Sequence, residues 1–181
     1  MDDRRAGWRR VGSDEGPDYG IFRVRLDTAI SPRTGAAGRY VVLECPDWVN
    51  IIALTDERQI VLVRQYRHGI DRVALELPAG TVERGEDPLA AARRELAEET
   101  GYTSDRWTLL GSVLPNPAFQ DNRCYHLLAE GARLTVEPTL DPGETIDVEL
   151  YPLSELPGLI AAGQLDQALV LSAVYWFEHR P

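Results

Sequence analysis

The chain has 181 residues, 44% hydrophobic and 27% charged, with a net charge of −10, which is the size and composition of one globular domain with a proper core. The acidic balance argues against a partner held through nucleic-acid phosphates, and no apolar stretch reaches the roughly 18–20 residues of a membrane helix. The polar opening from Met1 to Arg10 lacks the apolar run of a signal peptide, and two widely spaced cysteines, Cys45 and Cys124, fit a reducing compartment, so a cytoplasmic location is expected. Every basic residue counted with the lysines is an arginine, so any phosphate clamp must be Arg and lysine chemistry is excluded.

Residues 1–18 are charged and rich in Gly and Pro and read as a loose arm. Phe22, Val24 and Leu26 alternate with Arg23 and Arg25 as a strand does, a turn follows at Ser31-Pro32-Arg33-Thr34-Gly35, and Tyr40 to Cys45 makes the return strand of a hairpin. Further strands are expected at Val49–Leu54, Ile60–Tyr66 and Val73–Leu77. A strong helix follows over residues 88–100, then strands at Trp107–Val113, Cys124–Ala129 and Ile146–Leu150. Two helices close the chain, Leu153–Ala162 and Asp166–Phe177, the second with Leu169, Ala173 and Trp176 as its core stripe. Strands on both sides of one central helix, with helices at the end, predict an α/β protein with a mixed sheet and helices packed on it.

The central helix is well punctuated. Asp87 can cap its N-terminus, Pro88 suits its first turn and Gly101 suits the left-handed residue that ends it. Leu89, Ala92 and Leu96 should face the core. Glu95, Glu98 and Glu99 stand at i, i+3 and i+4, and Glu86 adds a fourth carboxylate before the helix. Like charges at this spacing cost a few tenths of a kcal/mol per pair, and they sit at the helix end where the macrodipole disfavours anions. A solvated acidic face, relieved by Arg94 pairing with Glu98, is one reading. A carboxylate cluster for Mg²⁺ or Mn²⁺ is the other.

The whole spacing decides between them. Gly80, Glu86, Arg94-Glu95-Leu96, Glu98-Glu99 and Gly101 resemble the Nudix hydrolase signature at every polar and glycine position. Tyr102 departs from it, where an aliphatic residue is usual. The likeness extends to Val63-Arg64-Gln65-Tyr66-Arg67, Glu76-Leu77-Pro78-Ala79-Gly80, Gly143-Glu144-Thr145-Ile146 and Gly163-Gln164-Leu165-Asp166-Gln167-Ala168, which are similar to the ADP-ribose pyrophosphatase branch.

That resemblance implies an α/β/α sandwich around a mixed sheet. Residues 1–45 would form an N-terminal arm and hairpin, and 46–181 the hydrolase domain. It implies metal ligation by Glu95, Glu98, Glu99 and the Ala79 carbonyl, with two or three Mg²⁺ or Mn²⁺ ions. Glu95 and Glu99 thereby take part in catalysis, Arg94 orients the glutamates, and Glu144 activates water, with Asp147 and Glu149 as alternatives. Arg67 would clamp the diphosphate, with Arg123 a further candidate for the distal phosphate or sugar. Phe22 and Tyr40 would hold the base. The implied substrate is ADP-ribose or a nucleoside diphosphate sugar, split into nucleoside monophosphate and sugar phosphate. The implied assembly is a homodimer through exchanged N-terminal strands. Two further readings stay open: hydrolysis of another diphosphate, such as a dinucleotide or coenzyme A, and a Nudix module that binds nucleotide sugars without catalysis. The loop Leu114-Pro115-Asn116-Pro117-Ala118-Phe119 leaves the sugar undetermined.

Overall fold

A computed structural model describes residues 7–180. The elements in chain order are β1 (Arg9–Asp18), β2 (Arg23–Ile30), β3 (Ala37–Glu44), β4 (Trp48–Leu54), β5 (Gln59–Arg67), β6 (Arg72–Glu76), β7 (Ala79–Thr81), α1 (Pro88–Thr100), β8 (Tyr102–Thr103), β9 (Arg106–Val113), β10 (Cys124–Glu130), β11 (Arg133–Leu134), β12 (Ile146–Pro152), α2 (Leu156–Ala161) and α3 (Ala168–Glu178). They fall into two compact units.

The first unit holds residues 1–46 together with the loop Leu114–Asn122. Its sheet has the order β1-β2-β3, antiparallel throughout. The expected hairpin is therefore present, but the expected loose arm is not. Residues 1–6 lie outside the described residues, and from Arg9 onward the segment is strand. Its polar side chains are what hold it: Ser13 donates to Asp27 at 2.7 Å and Arg10 to the same carboxylate at 3.3 Å. Asp27 also takes Arg25 at 3.1 Å, so a buried acid on β2 is satisfied from two strands. The loop docks on β3 through backbone bonds, Leu43 donating to Phe119 at 2.7 Å and Asp121 to Leu43 at 3.3 Å. Asn122 reinforces this with a bond to the Pro46 carbonyl at 2.8 Å.

The second unit, Asp47–Val113 with Arg123–Pro181, is built on a seven-stranded mixed sheet of order β12-β5-β4-β10-β9, with β6 on β5 and β7 on β4. Among the described residues of this sheet, β4 and β10 are the one parallel pair. Strand alternation divides β4 between two cores. Val49, Ile51 and Ala53 pack with Ala91, Ala92 and Leu96 of α1; Ile52 packs with Leu156 and Leu159 of α2 and with Val170, Ala173, Val174 and Phe177 of α3. Helix, sheet and helices thus form three layers, as expected of an α/β/α sandwich.

The expected helix 88–100 is present to the residue. Asp87 accepts from Leu89 and Ala90, Pro88 opens the first turn, and Gly101 ends the helix at φ +74°. The C-terminal helices are shorter than expected. A single tight turn, Leu153–Glu155, precedes α2, and α3 begins at Ala168 with Gln167, not Asp166, near its cap. Its buried stripe is Val170, Ala173, Val174 and Phe177, so only Ala173 of the expected set is fully buried. Trp176 instead covers Gly111 of β9, where a Cβ would meet the indole at 2.8 Å. Both cysteines are free. Among the described residues no helix is long and apolar enough to cross a membrane.

Candidate active site

The split between β5 and β4 creates the site in the second unit. The two strands pair only at Ala53–Val61 and Leu54–Ile60; beyond that β5 pairs with β6 and β4 with β7. The chain crosses this split at Leu77-Pro78, which delivers Ala79 and Gly80 to the last turns of α1. There the Ala79 N–H donates to Glu99 Oε2 at 3.0 Å. Glu95 lies so close to Gly80 that a Cβ on that glycine would fall inside its carboxylate. Gly80 is thus fixed by the approach of a side chain.

Glu99 is 5% exposed. Burial pushes its carboxyl up to about 8; the Ala79 N–H works against this, the charges of Glu95 and Glu144 add to it, and Arg67 opposes it. Burial also raises Glu95, with Arg94 opposing and Glu98 and Glu144 adding. These mutual effects put Glu144 within electrostatic reach of Glu95, Glu99 and Arg67. The Glu144 carboxylate is set by its own turn, accepting from the Asp141 N–H at 3.2 Å.

Arg94 is the hub of the acidic face. It donates to Glu86 at 3.0 and 3.1 Å, to Glu95 at 2.8 Å, to Glu98 at 3.1 Å and to the Thr81 carbonyl at 2.9 Å. Its bonds to Glu86 raise it further, burial works the other way, and Glu95 and Glu98 add to the rise. Glu86 is lowered chiefly by Arg94 and also accepts the Glu83 N–H at 2.9 Å. Glu86 thus ties the loop before α1 to Arg94.

Arg67 sits among carboxylates, but its fork is largely engaged. Nε donates to Glu76 at 3.1 and 3.3 Å, and Nη2 at 2.7 Å. Burial lowers the Arg67 pKa, and the bond and charge of Glu76, with Glu99 and Glu144 behind them, more than reverse this. Glu76 was not singled out in the sequence as a site residue, and only the β5–β6 pairing brings it to Arg67. Of the alternatives to Glu144, Glu149 is taken by Arg64 at 2.6 Å and Tyr151 at 2.6 Å, which lower it in that order. Alternation along β12 also separates them: Val148 packs on the α1 side, whereas Tyr151 packs on the α2–α3 side, and Asp147 and Glu149 share the phase of Tyr151. Arg123 donates to Ser112 at 3.1 Å.

The second unit thus brings together Arg67, Ala79, Glu95, Glu98, Glu99 and Glu144. Phe22 and Tyr40 belong to the first unit. There Phe22 lies beside Tyr19, with ring centroids 5.4 Å apart, and Tyr40 meets Trp8 edge-on at 5.5 Å.

The donors around Ala79 are carboxylates and carbonyls, the hard oxygens that suit Mg²⁺ or Mn²⁺, and the mutual repulsion of half-buried Glu95 and buried Glu99 is what a divalent cation would relieve. Among the described residues no three acidic side chains already converge as a closed cage.

A signature helix held against a split mixed sheet defines a class, and the comparisons agree. The NUDIX domain family matches residues 46–173, and the chain belongs to that family. It is 32% identical over 145 residues to an ADP-ribose pyrophosphatase of Bacillus subtilis, covering 80% of this chain and 78% of that one. It is 31% identical over 159 residues to a methanol dehydrogenase activator of Bacillus methanolicus, covering 87% and 85%. In fold it is similar to a solved ADP compounds hydrolase, with a TM-score of 0.83 at 21% identity over 94% of this chain and 92% of that one.

Proposed function

We propose that the protein is a metal-dependent Nudix pyrophosphohydrolase that cleaves the diphosphate of ADP-ribose or a related nucleoside diphosphate sugar. The observation that carries this is the acidic end of α1, with Glu99 buried on the Ala79 N–H, Glu95 closed on Gly80, and Glu144 and Arg67 in electrostatic reach. Similarity to the ADP-ribose pyrophosphatase supports the substrate. The similarly close activator from Bacillus methanolicus is a reason to test substrates directly.

Glu95, Glu98, Glu99 and the Ala79 carbonyl would hold two or three Mg²⁺ or Mn²⁺ ions. When bound, the ions neutralise the diphosphate and make water in the site more acidic. Arg67 binds a phosphate oxygen with the part of its guanidinium that Glu76 leaves free. Glu144 accepts a proton from the attacking water as its oxygen bonds to phosphorus. The P–O–P bridge breaks, and the bridging oxygen leaves with the other phosphate. Arg94 holds Glu95 and Glu98 in place throughout. Phe22 and Tyr40 offer aromatic faces for the base. Residues 1–45 serve assembly as a homodimer and 46–181 catalysis. The substrate is a small molecule, nucleic acid is no partner, and the protein works in the cytoplasm.

A panel of nucleoside diphosphate sugars with Mg²⁺ or Mn²⁺, read as phosphate released by an added phosphatase, tests the reading. ADP-ribose should be split to AMP and ribose phosphate. Glu99→Gln should lose turnover by about two orders of magnitude or more while its circular dichroism is unchanged. Wild-type turnover in Glu99→Gln would remove the helix from the chemistry.

A further inference from the structure

Two residues outside that scheme are placed as if they belonged to it. Glu76 is 2% exposed, more deeply buried than either glutamate of the Glu95–Glu99 pair, and both its oxygens face Arg67. Gln167 stands at the start of α3, in a stretch already notable in the sequence. Its Oε1 accepts the Val170 N–H at 3.1 Å, capping the helix, and its Nε2 reaches Glu76 Oε2 at 3.5 Å. The neighbouring Asp166 pairs with Arg72 of β6, so the start of α3 is latched to the β5–β6 hairpin twice.

A fold gains little from such a pair. Desolvating two charges offsets most of their attraction, and apolar side chains of the same volume often serve stability as well or better. The gain lies in geometry. Glu76 grips Nε and Nη2, and among the described residues Nη1 has no partner. A guanidinium held by two parallel bonds cannot rotate. Without Glu76 it would be free to fold back onto Glu99 or Glu144, the two other acids that its charge feels.

We propose that Glu76, braced by Gln167, is a positioning residue that keeps Arg67 bonded to itself and not to the metal-binding carboxylates, and so presents the Nη1 group to the diphosphate in one fixed orientation. This rests on the reading of Arg67 as the diphosphate clamp. The relay runs from the α3 cap through the β5–β6 hairpin to the substrate. It gives the helix start a function beyond capping.

A double-mutant cycle with ADP-ribose and Mg²⁺ tests it. Glu76→Gln should lower kcat/KM about tenfold, mostly through KM, and should cost less than about twofold when Arg67 is already Ala. Gln167→Ser keeps an acceptor for the helix cap but loses the reach to Glu76. It should cost about threefold, again only when Arg67 is present. Equal losses in both backgrounds overturn the proposal. A second readout needs no turnover. The Arg67 Nε–H should give a slowly exchanging NMR signal in the metal-free protein, assigned by its loss in Arg67→Ala. The signal should vanish in Glu76→Gln and exchange faster in Gln167→Ser. If no substrate is turned over, the proposed activity fails while this signal still decides the relay. A signal unchanged in both variants overturns it, and Gln167→Ser alone suffices should Glu76→Gln not fold.

Discussion

Glu99 is a carboxylate kept where its charge is hardest to hold, and its protonation should be readable in the stability of the metal-free protein. Burial pushes its folded value up to about 8, well above the ordinary carboxylate value of 4.5. Between those values the folded state keeps a proton that the unfolded state has lost, so stability falls as pH rises through the window. His126 works the opposite way. Burial depresses it to about 4 from 6.5, so its contribution is complete above 6.5 and is lost as pH falls toward 4. Above pH 6.5 His126 no longer changes, so the interval from pH 6.5 to 8 reads the raised carboxylates, and comparison with Glu99→Gln separates Glu99 from Glu95. With chelator present, the wild-type Tm should drop across that interval by more than the Tm of Glu99→Gln does. Mg²⁺ should lift the wild type more at pH 8 than at pH 6.5. Parallel curves for the two proteins would mean that Glu99 is already ionised without metal. The cycle around Glu76 and the loss of turnover in Glu99→Gln belong to the same scale.

At the scale of elements, α1 is the piece whose limits the sequence states in full, because its signals are local. Asp87, Pro88 and Gly101 each act within one turn of their own position. Asp87→Ala leaves two N–H groups without their acceptor and should cost about 1 kcal/mol, measured as a shift in the urea midpoint at unchanged slope. No change in midpoint would mean that water replaces the cap without loss. The acidic end of α1 was legible for the same reason, since i, i+3 and i+4 adjoin on any helix. What the sequence hid depends on distant partners. β1 reads as an arm because its polar residues look solvated, and only Asp27 on the next strand gives Ser13 and Arg10 something to bind. The stripe of α3 is turned by about one residue from its expected face because Trp176 has a glycine on β9 to lie over. Glu76 looks like an ordinary residue of a strand until the hairpin sets it beside Arg67. Asp147 and Glu149 look equivalent to Glu144 until β12 points them to the other face.

At the scale of the molecule, the charge of −10 and the acidic site imply that an anionic substrate is held only where cations have reversed the local field. The proposed dimer has its own test. On β3, Val41 is 52% exposed, an apolar side chain of the kind that a second copy can cover. Light scattering should give twice the chain mass for the full protein and the chain mass for Val41→Glu. A dimer in both would place the interface elsewhere. The same region restricts how the protein can be dissected. Leu114–Asn122 folds with strands far before it in the chain, and Leu43 supplies its backbone partners. Trimming the front of the gene up to Asp47 would therefore not yield a clean catalytic core. It would strip one half from a structure whose other half is encoded in the middle of the chain, so a minimal version has to keep both halves or redesign the loop that they share.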